Sequence, residues 1–562
     1  MAEDIRALVE KYALQNAVKY KAAPNQGAVM GKLMGEHADL RPRAREFSGI
    51  IAEVLKEIAG QSPQQWEKRL EQLAPELLEE LEEKKEPVKG LPALPGADGG
   101  VVMRFAPNPN GPPTLGSARG IIINSEYVKK YGGKFLIRFD DTDPVKKRPM
   151  PEAYGWYLED CEWLLARPDQ VITASERVGQ YYPIAEELIR RGGAYVCQCN
   201  QEQFKALKDA ATACPHRDQS LEENMELWRM MLDGRLGEGE AVLRIKTDIK
   251  HRDPAIRDWA AFRIVTTPHP IVGDRYRVWP LLDFESAVED HLQQVTHILR
   301  GKDLMDSETR QRYLYQHMGW TYPRVVHWGR IKIHQFGSFS TSKLRKAIEA
   351  GEYTGWDDPR LPTVRAVRRR GLRADALRKF MVELGVGETD ISISMDTIYA
   401  ENRKLVDPEA DRRFFVWDPV EISIAGAVPD RVEAPLHPTI KRGVRSLTAG
   451  NRVFVCRSDL EGRSSGDRLR LKDFCNVEIV GPKEARLIDL DPDTARKQRL
   501  PIIHWAPPDS LAVKVLGPER TDTGVAEPGI ACDLNRVVQF ERYGFVRIDS
   551  LGNPITACFA HR

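Results

Sequence analysis

With 562 residues, 42% of them hydrophobic and 29% charged, the chain has a soluble globular composition and is too long for a single core. No apolar run approaches the length of a membrane span, the acidic start MAEDIRALVE does not read as a secretory signal, and eight scattered cysteines exclude a disulfide framework, so a cytoplasmic protein is expected. A formal net charge of +1 excludes a bulk attraction to nucleic acid, and any such contact must come from local basic patches.

Residues 1–86 place apolar side chains at three- and four-residue spacing, in IRALVEKYALQNAVKY and WEKRLEQLAPELLEELEEKK, which predicts a helical appended region over 1–95. The Pro/Gly-rich PVKGLPALPGADGG, 87–100, marks a domain boundary. VVMRF, a helix over about 116–131 and KFLIRFD then form a β-α-β unit, and right-handed crossover makes its sheet parallel. The alternation breaks over 195–275 and resumes at VWPLLDF and HILRGKD. A nucleotide-binding domain in two halves, 96–195 and 277–344, therefore surrounds an insert, 196–276. Residues 345–410 read as a helical connector. From 411 to 562, short runs such as RFFVW, RVFVCR and LAVKVLG between Gly, Pro and Asp predict β-barrels.

Three ordered motifs carry the chemistry. RFAPNPNGPPTLGSAR, 104–119, is a stiff Pro-rich loop between strand and helix. Gly111 and Gly116 there allow close backbone approach, and the helix opening near Ser117 offers unpaired N–H groups to phosphate. RFDDTDP, 138–144, and SFSTSKL, 338–344, follow. Cys197-Gln198-Cys199 and Cys214-Pro215-His216 gather three thiols and an imidazole within twenty residues, a donor set that suits structural Zn²⁺. The alternative is a pair of buried cysteines beside an unrelated turn. Residues 359–379 hold seven arginines, one lysine and a single acid, a patch suited to phosphate. Arg442, Arg445, Arg452 and Arg457, with Phe454, are candidates for single-stranded bases.

Together these motifs resemble the class I aminoacyl-tRNA synthetases of the glutamyl/glutaminyl branch, and GWDDPRLPTVRAVRRRG, 355–371, is similar to the segment that follows the second loop in archaeal and eukaryotic members. Two signatures depart from the family pattern. Thr114-Leu115-Gly116-Ser117 stands where His-Ile-Gly-His is usual, and Ser340-Thr341-Ser342-Lys343-Leu344 where Lys-Met-Ser-Lys-Ser is usual.

The resemblance covers roughly residues 100–562 and implies a Rossmann-like catalytic domain with an inserted α/β acceptor-binding domain, a helical connector and C-terminal β-barrel anticodon-binding domains, behind the N-terminal helical region read from periodicity. It further implies activation of glutamate by ATP·Mg²⁺ and transfer to the 3′-terminal adenosine of tRNA(Glu), with tRNA(Gln) an open second acceptor. Arg104, with Ala106 and Asn108 on the same strand end, would take the substrate carboxylate, and Asp140 its α-ammonium. Arg300 would take a γ-carboxylate, as in glutamyl members, and Ser286 would supply the hydroxyl lost where Leu282 replaces a tyrosine. Thr114, Gly116, Ser117, Arg330, Ser342 and Lys343 would serve the phosphates, with Lys343 on the leaving group. The Cys/His set resembles the zinc knuckle of the acceptor-binding insert. Two rivals stay open: a glutamine-specific relative, and a non-catalytic tRNA-binding scaffold. Residues 1–86 would dock a protein partner or touch tRNA.

Overall fold

The computed structural model describes residues 2–20, 22–37, 40, 46–77, 90–336 and 340–562. The end of the second amphipathic run (78–85), the start of the expected linker (87–89) and Ser338-Phe339 of the second loop lie outside the described residues. Among the described residues no helix is long and apolar enough to cross a membrane.

The chain divides into two compact units, Met1–Lys89 and Gly90–Arg562. The first holds helices Ala2–Tyr20, Gln26–Glu36, Ser48–Ala59 and Pro63–Leu73 around Val9, Ala13, Leu33, Ile51, Val54 and Leu70. Its last helix starts where Ser62 and Gln65 form a reciprocal capping box and Pro63 occupies a first-turn position whose N–H has no helical partner.

The second unit is built on a five-stranded parallel sheet, in spatial order Gln170–Thr173, Gly133–Phe139, Val101–Phe105, His297–Gly301, Arg324–Trp328. The chain lays strands to one side of Val101–Phe105 and then to the other, so the order reverses between that strand and His297–Gly301. Ligands in such sheets bind at the carboxyl ends flanking the reversal. Arg104 and Arg300 stand there. The insert is a four-stranded antiparallel sheet from Ala194–Cys197 to Val278–Pro280, packed through Trp228, Phe262 and Trp279.

Helices Val364–Arg369, Ala374–Leu384 and Met395–Val406 lead into two larger β-sheets. The seven-stranded one begins with Arg412–Arg413 and ends with Phe415–Trp417. Its two edges are thus one residue apart in the chain, so the sheet curls on itself as a barrel. The Rossmann-like core, its α/β insert, the helical region and the barrel architecture agree with the expectation from sequence.

One core position is under electrostatic load. Asp160, on helix Pro151–Trp163, is fully buried, and neither carboxylate oxygen has a hydrogen-bond partner. Burial raises its pKa to about 7, against the opposing pull of Arg365 and Arg368. A carboxyl raised in the folded state contributes stability below its unfolded value, and loses it as pH rises through about 7. Asp160→Asn should therefore stabilise the protein at pH 8 by about 1–3 kcal/mol, with the gain vanishing toward pH 4. Urea unfolding at both pH values measures it, and an equal effect at the two would contradict the charge argument.

Candidate active site

At the strand ends, Arg104 donates from Nε and Nη2 to Asp290 at 3.0 and 3.1 Å. Arg138 donates to Asp290 at 2.6 Å and to Asp140 at 2.6 Å, and lies 3.5 Å from Glu285. All five side chains are buried. Burial alone would raise Asp290, but Arg104 and Arg138 outweigh it and hold the carboxyl at about 2. Glu285 goes the other way: burial and the neighbouring Asp140 push it well above the ordinary range, and neither of its oxygens accepts a hydrogen bond. Burial raises Asp140 too, against the opposing pull of Arg138 and Arg104. The next acid of the motif, Asp141, is structural. It accepts from Tyr154 at 2.5 Å and from the Ser175 backbone and hydroxyl at 2.7 Å.

A cavity of about 510 Å³ opens over this network, lined by Arg104, Ala106, Asp140, Ser286, Arg300 and Gln311 among others. Thr114, Gly116 and Ser117 line its other end, beneath the first loop. Arg300 is 5% exposed, and burial lowers its pKa. Its Nη1 donates to Gln311 Oε1 at 3.1 Å, while its Nε is buried without a partner. Among the described residues no carboxylate pairs with it. Gln311 Oε1 also accepts from Tyr322 at 2.6 Å, and its Nε2 donates to Ser286 Oγ at 3.2 Å and to the Asp283 carbonyl at 3.3 Å. Leu282 lines the rim and is 42% exposed. Asn108 sits just outside, donating to the Asp140 carbonyl at 3.0 Å.

Thr114 caps helix Leu115–Tyr131, accepting from Ser117 N at 3.3 Å, with the two hydroxyls 3.3 Å apart. The missing Cβ of Gly111 makes room for Thr341 and for Trp356, whose ring would lie 2.9 Å from one, so this glycine serves packing between loops and not ligand approach as expected. The segment after the second loop zips onto the first. Leu115 N donates to Pro362 O and Val364 N to Pro113 O, both at 2.9 Å. Ser342 and Lys343 begin helix Thr341–Glu349, capped by Ser340, and do not line the 510 Å³ cavity. Lys343 lines a separate one of about 680 Å³ with Arg360. Arg330 is exposed beside Asp303, at 3.6 Å, on the rim.

In the insert, Cys197 ends a strand and Cys214 precedes the short helical turn Pro215–Asp218 that carries His216. Cys214 Sγ lies 3.5 Å from both Cys197 and Cys199 and 3.3 Å from His216 Nδ1, and all four donor atoms fall within 4.8 Å of one another. A tetrahedral Zn²⁺ with Zn–S near 2.3 Å spaces its ligands by about 3.8 Å, so the donor set and its spacing fit the ion.

The arginine-rich stretch divides between the interior and the surface. Arg370 is buried, donating to the Phe559 and Ala560 carbonyls and to Tyr399. Arg378 is buried against Glu126 and the Leu164 carbonyl. Arg360, Arg365, Arg369 and Arg373 are paired with Asp358, Glu159, Asp549 and Glu409. Arg368 remains exposed with no ion pair among the described residues. In the β region Arg445 is buried on Glu527, whereas Arg452 and Arg457 are exposed, beside Glu421 and Asp418.

Residues 100–408 match the family described as "tRNA synthetases class I (E and Q), catalytic domain", and residues 410–489 match its "anti-codon binding domain". The chain is 71% identical to the glutamate–tRNA ligase of Methanothrix thermoacetophila, with 100% of each chain covered. It is 58% identical to that of Methanosarcina acetivorans, over 100% of this chain and 99% of the relative. Against that of Archaeoglobus fulgidus it is 50% identical, over 99% of this chain and 100% of the relative.

Proposed function

The chain belongs to the class I glutamyl and glutaminyl tRNA synthetases, and from that premise we propose that it is a glutamate–tRNA ligase. It joins glutamate to ATP as glutamyl-adenylate, releasing pyrophosphate, and passes the acyl group to the 2′-hydroxyl of the terminal adenosine of tRNA(Glu), releasing AMP. The observation that carries the amino-acid choice is Arg300: a buried guanidinium with one neutral partner awaits an anion at the end of the cavity. A γ-carboxylate satisfies it, and a γ-amide leaves the cation uncompensated.

In this reading Arg104 orients the α-carboxylate toward the α-phosphorus, and Ala106 and Asn108 shape the strand end around it. Asp140, held by Arg138, takes the α-ammonium, and Ser286 turns its free proton toward the side chain. The N-terminus of the helix at Leu115, with Gly116 and the hydroxyls of Thr114 and Ser117, faces the triphosphate. Ser342 and Lys343 approach it from the second loop, and Arg330 from just upstream. ATP enters as its Mg²⁺ complex. Chemistry of this kind rests on positioning and on stabilising phosphate charge, so few protein groups need react covalently.

Aminoacylation with radiolabelled glutamate or glutamine, on separate tRNA(Glu) and tRNA(Gln), tests the reading. Glutamate on tRNA(Glu) is the expected product, and the tRNA(Gln) arm shows whether a second acceptor is used. Preferential charging of glutamine, or no adenylate with tRNA present, would overturn it.

For the insert, we infer that Cys197, Cys199, Cys214 and His216 hold a structural Zn²⁺. Four protein ligands would close the site to chemistry and brace the chain from 197 to 216. Elemental analysis should find about one zinc per chain, lost in the Cys197→Ser/Cys199→Ser double variant together with part of the thermal stability. A metal-free native protein after gentle purification would count against it.

A further inference from the structure

Gln311 lies one helical residue from two paired cations. Arg310 donates to Asp283 at 2.6 Å and Arg312 to Glu308 at 2.6 Å, while Gln311 between them turns inward and is 1% exposed. Its amide orientation is dictated chemically. A guanidinium can only donate, so the atom facing Arg300 must be Oε1, which leaves Nε2 toward Ser286 and the Asp283 carbonyl. Two acceptor lone pairs and two amide protons thus meet four partners, and the side chain is locked.

This arrangement holds Arg300 by a group that has no charge. A carboxylate at the same place would hold it equally well and cancel it. Because Ser286 Oγ accepts from Gln311, its own proton stays available to the cavity. Resting on the glutamate–tRNA ligase reading, we propose that Gln311 is a positioning residue that sets the charge selectivity of the pocket: it fixes the direction of Arg300 and Ser286 while keeping the guanidinium unneutralised for an incoming carboxylate.

The test is ATP–pyrophosphate exchange with tRNA present, on the full-length protein, with glutamate and glutamine as substrates. In Gln311→Glu the new carboxylate pairs with Arg300. Glutamate kcat/KM should fall at least about tenfold, mainly through KM, and the preference for glutamate over glutamine should fall by about tenfold or more. In Gln311→Met the charge survives but its anchor is lost, so KM for glutamate should rise about fivefold or more with the preference kept. A Gln311→Glu protein with the native KM and preference would overturn the proposal. If that variant does not fold, Gln311→Met decides alone, and an unchanged KM would overturn it. Failure of the functional reading looks different: the native protein would then be inactive on glutamate, whereas failure of this inference leaves an active enzyme whose preference ignores position 311.

Discussion

Replacing Arg300 with Gln lowers kcat/KM for glutamate by about 10²–10³-fold and leaves the fold intact. The size follows from what remains after the change. The guanidinium is 5% exposed, so a γ-carboxylate brought into the cavity without it is a nearly dry, unpaired charge. Stranding one partner of a buried charge pair costs about 2–5 kcal/mol, more than the bond itself contributes. The fold should survive because Arg300 makes one hydrogen bond, to Gln311 Oε1, and the shorter amide can still donate in that direction. Steady-state aminoacylation with glutamate, beside a thermal melt, measures both halves. A loss under tenfold would remove Arg300 from the side-chain pocket, and a lowered melting temperature would mean that the residue supports the fold.

The parts legible in the sequence were those where local pattern and tertiary role coincide. VVMRF and KFLIRFD read as buried parallel strands because both faces are covered, and they carry Arg104 and Asp140 to the sheet's carboxyl end. HILRGKD did the same for Arg300, and the paired C-x-C and C-x-H spacings found one another in space. In each case a local strand or turn pattern carries the residue to its place, whatever partners it meets there.

What stayed hidden depends on partners far away in sequence. A run of arginines announces charge but not what meets it: Arg369 reaches Asp549, and Arg370 reaches the last strand, so part of an expected phosphate-binding face is internal structure. The network beneath the substrate was missed for a related reason. Glu285, Glu289 and Asp290 are acids on a helix that otherwise reads FESAVED, and acids at such spacing usually mark a wet face. Here Arg104, Arg138 and Arg177, brought from other elements, make the buried positions tenable. Gln311 carries no charge and lies between two arginines, yet it stands three, four and seven residues before Leu314, Tyr315 and Met318, the spacing of a buried helix face.

Lys343→Ala should slow adenylate formation by about 10²–10³-fold while leaving tRNA affinity unchanged. The residue lies in the first turn of helix Thr341–Glu349, whose start packs on Gly111 of the first loop. Two helix N-termini, at Leu115 and Thr341, therefore open beside the same loop, and both favour phosphate. Thr114 and Ser117 carry no charge there, and Thr114 already spends its oxygen on the cap. On the proposed reading Lys343 supplies the cation for the leaving pyrophosphate, and it forms no ion pair among the described residues that would hold it elsewhere. Loss of one transition-state donor costs about 2.7–4 kcal/mol, and a charge acting as pyrophosphate departs should be felt in rate more than in ATP binding. Single-turnover adenylation resolves this, with Lys343→Arg as the comparison that keeps the charge and recovers part of the rate. Equal rates for Lys343→Ala and the native protein would move the proposed work to the helix termini and Arg330.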